Sequence, residues 1–209
     1  MKDIPGFATE LGVASLTLSE IPVCKRAYIK IQSTACLDAF LEECTTFCRM
    51  AGAEQIYASG HDSLQSLPLH AVIVEMQCSR EALPDTDAAL FPVQENTLLE
   101  FIRIYNEKAA HIPNAAYLTT VQARQMHDGY FIHRDGKLLG IGRAGGDTIG
   151  FLASVMPGAG QEVLSALAHT ITGDVVKLEV ATANEKAMAL YARMGFVTTR
   201  EVSRWYCVK

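Results

Sequence analysis

From residue 88 onward the apolar positions of the chain switch repeatedly between two periods, and the switches delimit elements. Residues 88–93 read as a strand. Leu98, Phe101, Ile102 and Tyr105 then recur at helical spacing, which predicts a helix over about 97–110, with Thr97 and Glu100 set three apart as a capping box. His111-Ile112-Pro113-Asn114 ends it. Thr119 and Gln122 repeat the capping-box spacing and predict a short helix to about His127. Two apolar runs, 130–134 and 137–142, flank Asp135-Gly136, a strong hairpin signal because both central turn residues need positive φ. Gly145-Gly146-Asp147 marks another turn before a strand at 148–154. Val163, Ala166, Leu167, Thr170 and Ile171 share a helical face, with Gly173 as its stop. A β-branched strand at 175–180 follows, then a helix over 185–194 ended by Gly195, then one or two strands in 196–209.

Residues 1–86 give a fainter version of the same alternation. Strands are predicted at 12–18, 25–31, 54–58 and 71–77, with a helix over 35–51 capped by Ser33 or Thr34. Leu37, Phe40, Leu41, Cys44, Phe47, Cys48 and Ala51 fall on one face of that helix. The strand–strand–helix–strand–strand order echoes the later half, so a degenerate internal repeat is expected, with the linker between Ser79 and Ala88. The whole is of the mixed α+β class: an N-terminal αβ segment at 1–86 and a larger domain at 87–209. Its early sheet is antiparallel and its later strand–helix–strand units parallel.

Composition narrows the function classes. Apolar residues make up 49% and charged residues 20%, which excludes a disordered chain. A net charge of -5 leaves no basic stripe for nucleic acid, and a small cationic partner suits the surface better. No run of 18 apolar residues is present, so no membrane span is expected, and Met1-Lys2-Asp3-Ile4-Pro5-Gly6 has no apolar signal core. The six cysteines stand at irregular spacings and read as reduced thiols of a cytoplasmic protein, a monomer or homodimer. Cys44 and Cys48 are four apart without a nearby histidine, so they read as buried thiols, and no metal site is expected.

The chemistry concentrates in the last helix. Asn184, Ala187, Leu190, Tyr191, Gly195 and Phe196 spell N-x-x-A-x-x-L-Y-x-x-x-G-F, entered directly from the strand Lys177-Leu178-Glu179-Val180-Ala181. Taken alone, this is an amphipathic helix with an Asn cap and a Gly stop. As a string it closely resembles the second cofactor-side motif of GNAT acetyltransferases, and the element order agrees with that resemblance over 88–209.

The resemblance implies a GNAT fold and an N-acetyltransferase that passes an acetyl group from acetyl-CoA, its co-substrate, to an amine by direct attack. The acceptor is a small-molecule or peptide amine. It implies that the strands 148–154 and 175–180 are parallel neighbours that splay, with the thioester in the opening. Leu152, Ala153 and Ser154 would then pair with the pantetheine arm. Gly158, Ala159, Gly160 and Gln161 would hold the pyrophosphate at a helix start, where free N–H groups and positive dipole charge favour an anion. Asn184 and Tyr191 would complete the cofactor side. Tyr191 is the candidate general acid for the departing thiolate, and Glu179 the candidate base, ahead of Asp147, His133 and Tyr130. The family pattern of Arg or Gln, two residues, Gly, one residue, Gly or Ala is incomplete here, because Val155 stands in its first slot and the loop is short. The rival is a catalytically inactive acyl-CoA-binding or regulatory protein of the same fold. The N-terminal segment has Ile31-Gln32-Ser33-Thr34 where a glycine turn would be needed, so a single cofactor site is expected. Trp205-Tyr206 reads as packing of the last strand.

Overall fold

The computed structural model describes residues 1–112 and 114–208; Pro113, read above as part of a helix break, and Lys209, the end of the last predicted strand, lie outside it. The elements in chain order are β1 (Ile4–Thr9), β2 (Gly12–Thr17), α1 (Ile21–Cys24), β3 (Arg26–Thr34), α2 (Leu37–Met50), β4 (Gln55–Ser59), β5 (Leu69–Ser79), β6 (Ala89–Pro92), α3 (Leu98–Ala109), α4 (Thr120–Arg124), β7 (Gly129–Arg134), β8 (Lys137–Gly145), β9 (Thr148–Ser154), α5 (Gly160–Ala168), β10 (Val175–Ala181), α6 (Glu185–Arg193) and β11 (Val197–Val208). By internal packing the chain forms two units, Met1–Val72 with Ser203–Lys209, and Ile73–Val202.

In the first unit β1, β2 and β3 are antiparallel neighbours, β3 runs parallel to β4, and the end of β11 closes the sheet antiparallel to β4 through Tyr206↔Ala58. Ala27, Ile29 and Ile31 of β3 point to one face, as strand alternation dictates, and meet Phe40, Cys44 and Cys48 of α2 in an apolar core. The expected stripe on α2 is the one that is covered. Its cap differs: Cys36 occupies the N-cap position without a side-chain bond, while Thr34 Oγ1 accepts from Cys36 N at 3.2 Å. β1 was not anticipated, because Pro5-Gly6 interrupts its pattern and most of its side chains are solvated.

The second unit carries β5 (from Ile73), β10, β9, β8, β7 and β6 in that lateral order. The β7–β8 hairpin turns on Asp135 (φ 52°) and Gly136 (φ 72°), the positive-φ pair the sequence called for. One face of this sheet presents Phe131, Ile141, Phe151 and Ala153 to Phe101, Ile104 and Tyr105 of α3 and to Ala123 of α4. On the other face α5 lies close against β8. A Cβ on Gly140 or Gly142 would collide with Val163 or Leu167, so these glycines set the helix-to-sheet distance.

Several local expectations need correction. Thr97 does not cap α3: its hydroxyl accepts from Gln94 N at 3.0 Å and donates to Gln94 O, while Glu100 pairs with Arg103. Thr119 and Gln122 do form the full capping box of α4, but that helix stops at Arg124. α5 ends at Ala168, short of Gly173. Of the one or two closing strands expected, a single long one forms, β11.

Candidate functional site

The parallel pair β9–β10 opens soon after it begins. Pairing is confined to Lys177↔Thr148 and Leu178↔Ile149, after which residues 179–181 and 150–154 have no partner across that gap among the described residues. The cause lies on the other side of β9. Its ladder with β8 slips between Arg143↔Phe151 and Ala144↔Ile149, leaving Gly150 as an extra residue. A bulge bends its strand and sharpens the local twist, so β9 turns away from β10 immediately past Ile149. Meanwhile β10 stays paired with β5 along its full length, Val175↔Ser79 to Ala181↔Ile73. The result is a slot with one unpaired strand edge on each side.

The first unit makes a useful internal contrast. Its parallel pair β3–β4 is closed along every residue of β4, from Arg26↔Gln55 to Lys30↔Ser59. Just beyond, Gly60 (φ +95°) packs so tightly on Ile31 that even a Cβ would meet that residue's carbonyl oxygen. Among the described residues no comparable slot opens there.

At the wide end of the β9–β10 slot stands the start of α5. Val155 N and Met156 N both donate to Leu139 O (2.8 and 3.1 Å), which pins the loop against β8. Gly158 takes a positive φ of 84° to turn the chain into the helix. The first intrahelical bond is Val163 N to Ala159 O at 3.0 Å, and no side chain caps the N-terminus. The N–H groups of Gly160, Gln161 and Glu162 therefore point outward, a natural seat for an anion. Leu152, Ala153 and Ser154 lie on the bent part of β9, paired to Gly142, Ile141 and Gly140 on the β8 side only.

α6 packs beside this first turn. A Cβ on Gly160 would lie 3.1 Å from Leu190, and Gln161 Nε2 is 3.5 Å from Met194 Sδ. Asn184 caps α6 by accepting from Ala187 N at 3.3 Å, and Gly195 (φ +87°) ends it. Tyr191 sits in the turn between Leu190 and Met194 and is 7% exposed, its ring 5.8 Å from that of Phe196. Burial alone pushes its phenol up to about 12, so it keeps its proton at neutral pH.

Glu179 is the first residue of β10 past the last β9 pair, and it is solvent-exposed, on the face opposite the buried Leu178 and Val180. Directly across from it is Glu75 on β5. Arg200 grips Glu75 with two bonds (3.2 and 3.0 Å) and Thr199 adds a third, which holds that carboxyl below its ordinary range. Of the weaker base candidates, Asp147 is tied to Lys177 Nζ at 2.6 Å, and His133 packs edge-on against Phe91. Trp205 and Tyr206 belong to the first unit, Trp205 edge-on to Tyr28 and Tyr206 in the apolar core. Sequence reading did not single out Glu75 or Arg134, whose ion pair with Glu162 in the first turn of α5 bridges 28 residues. The Asp-Gly turn located the hairpin tip that carries Arg134, but not its neighbour. Among the described residues no three metal-ligating side chains converge, and no helix is long and apolar enough to cross a membrane.

No family model matches the sequence, and no curated protein matches it. Solved structures do. A putative acetyltransferase from Pyrococcus horikoshii matches with a TM-score of 0.63 at 11% identity, over 95% of this chain and 70% of that one. A GNAT-family acetyltransferase from Colwellia psychrerythraea matches with a TM-score of 0.51 at 13% identity, over 98% and 84%. A tandem GNAT protein from the clavulanic acid biosynthesis pathway matches with a TM-score of 0.55 at 13% identity, over 94% and 78%. Identities this low speak for the fold alone: the chain has the GNAT acetyltransferase fold.

Proposed function

We propose that the protein is an acetyl-CoA-dependent N-acetyltransferase acting on an amine, small-molecule or peptide. The observation that carries this reading is the bulge-driven opening of β9 from β10, with the uncapped start of α5 at its mouth. The groups present suit an acyl-CoA. An unpaired strand edge matches the amides of a pantetheine arm, and free first-turn N–H groups match a diphosphate. When bound, such a molecule supplies an acyl group already activated as a thioester.

The chain's own residues then have distinct work. Bent β9 at 152–154 fixes the arm, and Gly158, Gly160 and Gln161 seat the phosphates, while Ala159, whose N–H is held by Met156 O, shapes the turn between them. Asn184 holds the start of α6, whose Leu190 and Met194 meet the first turn of α5, with Tyr191 in the helical turn between them. The phenol is neutral and proton-bearing at working pH, so it acts as a donor to a departing thiolate. Glu179, exposed where the slot begins, takes the proton of the incoming ammonium directly or through water. The negative overall charge favours approach of a cationic acceptor.

A second reading, binding of acyl-CoA without turnover, draws support from the loop. Val155 offers no polar side chain, and the N–H groups of Val155 and Met156 are already committed to Leu139. Incubation with acetyl-CoA and a panel of polyamines, amino acids, aminoglycosides and peptide N-termini, read by product mass, separates the two. Turnover of at least one amine, lowered roughly a hundredfold by Tyr191→Phe, is expected for the enzyme. Ligand-induced stabilisation without product from any amine supports the binder. Turnover indifferent to Tyr191→Phe removes that residue's role.

A further inference from the structure

The hairpin tip beside the α5 start carries a cation whose present partner is an obstacle to anion binding. Arg134 ends β7, and its Nη1 bonds Glu162 Oε2 in the first turn of α5. Its other carboxylate contact among the described residues is Asp135 Oδ2, 4.0 Å from Nε. The Arg134 side chain is 45% exposed, and a guanidinium has five N–H donors in a planar fork, so most of its donor capacity is unspent. The loop is tied to the same corner, since Leu139, which takes the N–H groups of Val155 and Met156, lies two residues past the turn strand start at Lys137.

The loop itself is short of donors. Val155 contributes no polar group, Val155 N and Met156 N are engaged, Ala159 N bonds Met156 O, and Pro157 has no N–H. A phosphate seated on Gly158, Gly160 and Gln161 would also face the Glu162 carboxylate one residue on. Removing that repulsion needs a cation, and Arg134 is the one already in contact.

We propose that Arg134 is a cofactor-phosphate ligand of this site, exchanging Glu162 for a phosphate of CoA when the slot fills. This rests on the acyl-CoA reading above. The exchange replaces one charge-assisted pair by another, bidentate one, and it supplies by side chain what the loop lacks at Val155.

The test is calorimetric titration of CoA, dephospho-CoA and pantetheine into the wild-type chain and into Arg134→Gln, Arg134→Lys and Glu162→Gln, with melting points of the unliganded variants alongside. Arg134→Gln should weaken CoA roughly tenfold or more and leave pantetheine unchanged, while Arg134→Lys loses less. Glu162→Gln should bind CoA at least as well as wild type. A loss that persists with dephospho-CoA assigns Arg134 to the diphosphate, and a loss confined to CoA assigns it to the 3′-phosphate. Equal CoA affinity in wild type and Arg134→Gln overturns the proposal. So does an equal loss in Glu162→Gln, or a loss for pantetheine as well, since either makes the pair merely structural. If wild type itself takes up no CoA, the acyl-CoA reading fails first and this inference with it.

Discussion

Tyr191 offers a test of burial that is independent of any substrate. Its phenol is raised from 10 to about 12, with desolvation the cause, while in the unfolded chain it returns to its ordinary value. Protonation is therefore favoured in the native state. The stabilising term is fully present below pH 10 and is lost as pH climbs from about 10 towards 12. Linkage gives the size: at pH 11 the unfolded phenol is mostly ionised and the folded one mostly not, a difference of about 1.4 kcal/mol, against less than about 0.1 kcal/mol at pH 9. Other buried groups also titrate in this range, including Tyr28 and the Cys44 thiol, so the total stability curve is not diagnostic. The difference between wild type and Tyr191→Phe is. Urea unfolding of both at pH 7, 9, 10 and 11 should give a constant gap up to pH 9, then a relative loss by wild type of about 1.4 kcal/mol at pH 11. Curves that stay parallel throughout would mean that the phenol is solvated, and its assignment as a protected proton donor would fall.

Further outcomes follow from the same structure. Gly142→Ala should cost about 1–3 kcal/mol by overpacking, because the new methyl meets Leu167 and lies 2.9 Å from Phe151 O; Gly150→Ala, with nothing within 4 Å, should be nearly neutral, and thermal melts of the two decide it. Asn184→Ala and Thr119→Ala should each destabilise by about 1 kcal/mol, while Thr97→Ala costs less because it caps no helix, as chemical denaturation can check. In a thiol-labelling time course Cys36 should react at once. Cys44, Cys48 and Cys78, buried and pushed up to about 12, 11 and 11, should react only on unfolding.

What was legible in the sequence was what is decided locally. Asp135-Gly136 fixes a hairpin through the φ values of two residues, and Asn184 with Gly195 brackets α6 through a cap and a stop. Thr97 shows the limit of that reasoning, since the same hydroxyl can cap a helix or close a turn, and here Gln94 takes it. The slot was legible only through resemblance. Its physical cause, the register slip around Gly150, depends on how β8 and β9 align, and an isolated glycine in a strand does not announce it. Strand partnership was equally hidden. The end of β11 pairs with β4, and β5 pairs with β10, choices set by long-range packing. Glu75 beside Glu179 emerges only from the second of those pairings, and Arg134 beside Glu162 only from the packing of α5 near the β7–β8 hairpin.

The central claim is that one slot, between β9 and β10, takes an acyl-CoA, while the parallel pair β3–β4 is closed. Calorimetric titration of acetyl-CoA into the full chain tests both halves at once. The expected result is saturable binding at one equivalent per chain. No binding at saturating ligand, or binding of two equivalents, would contradict it.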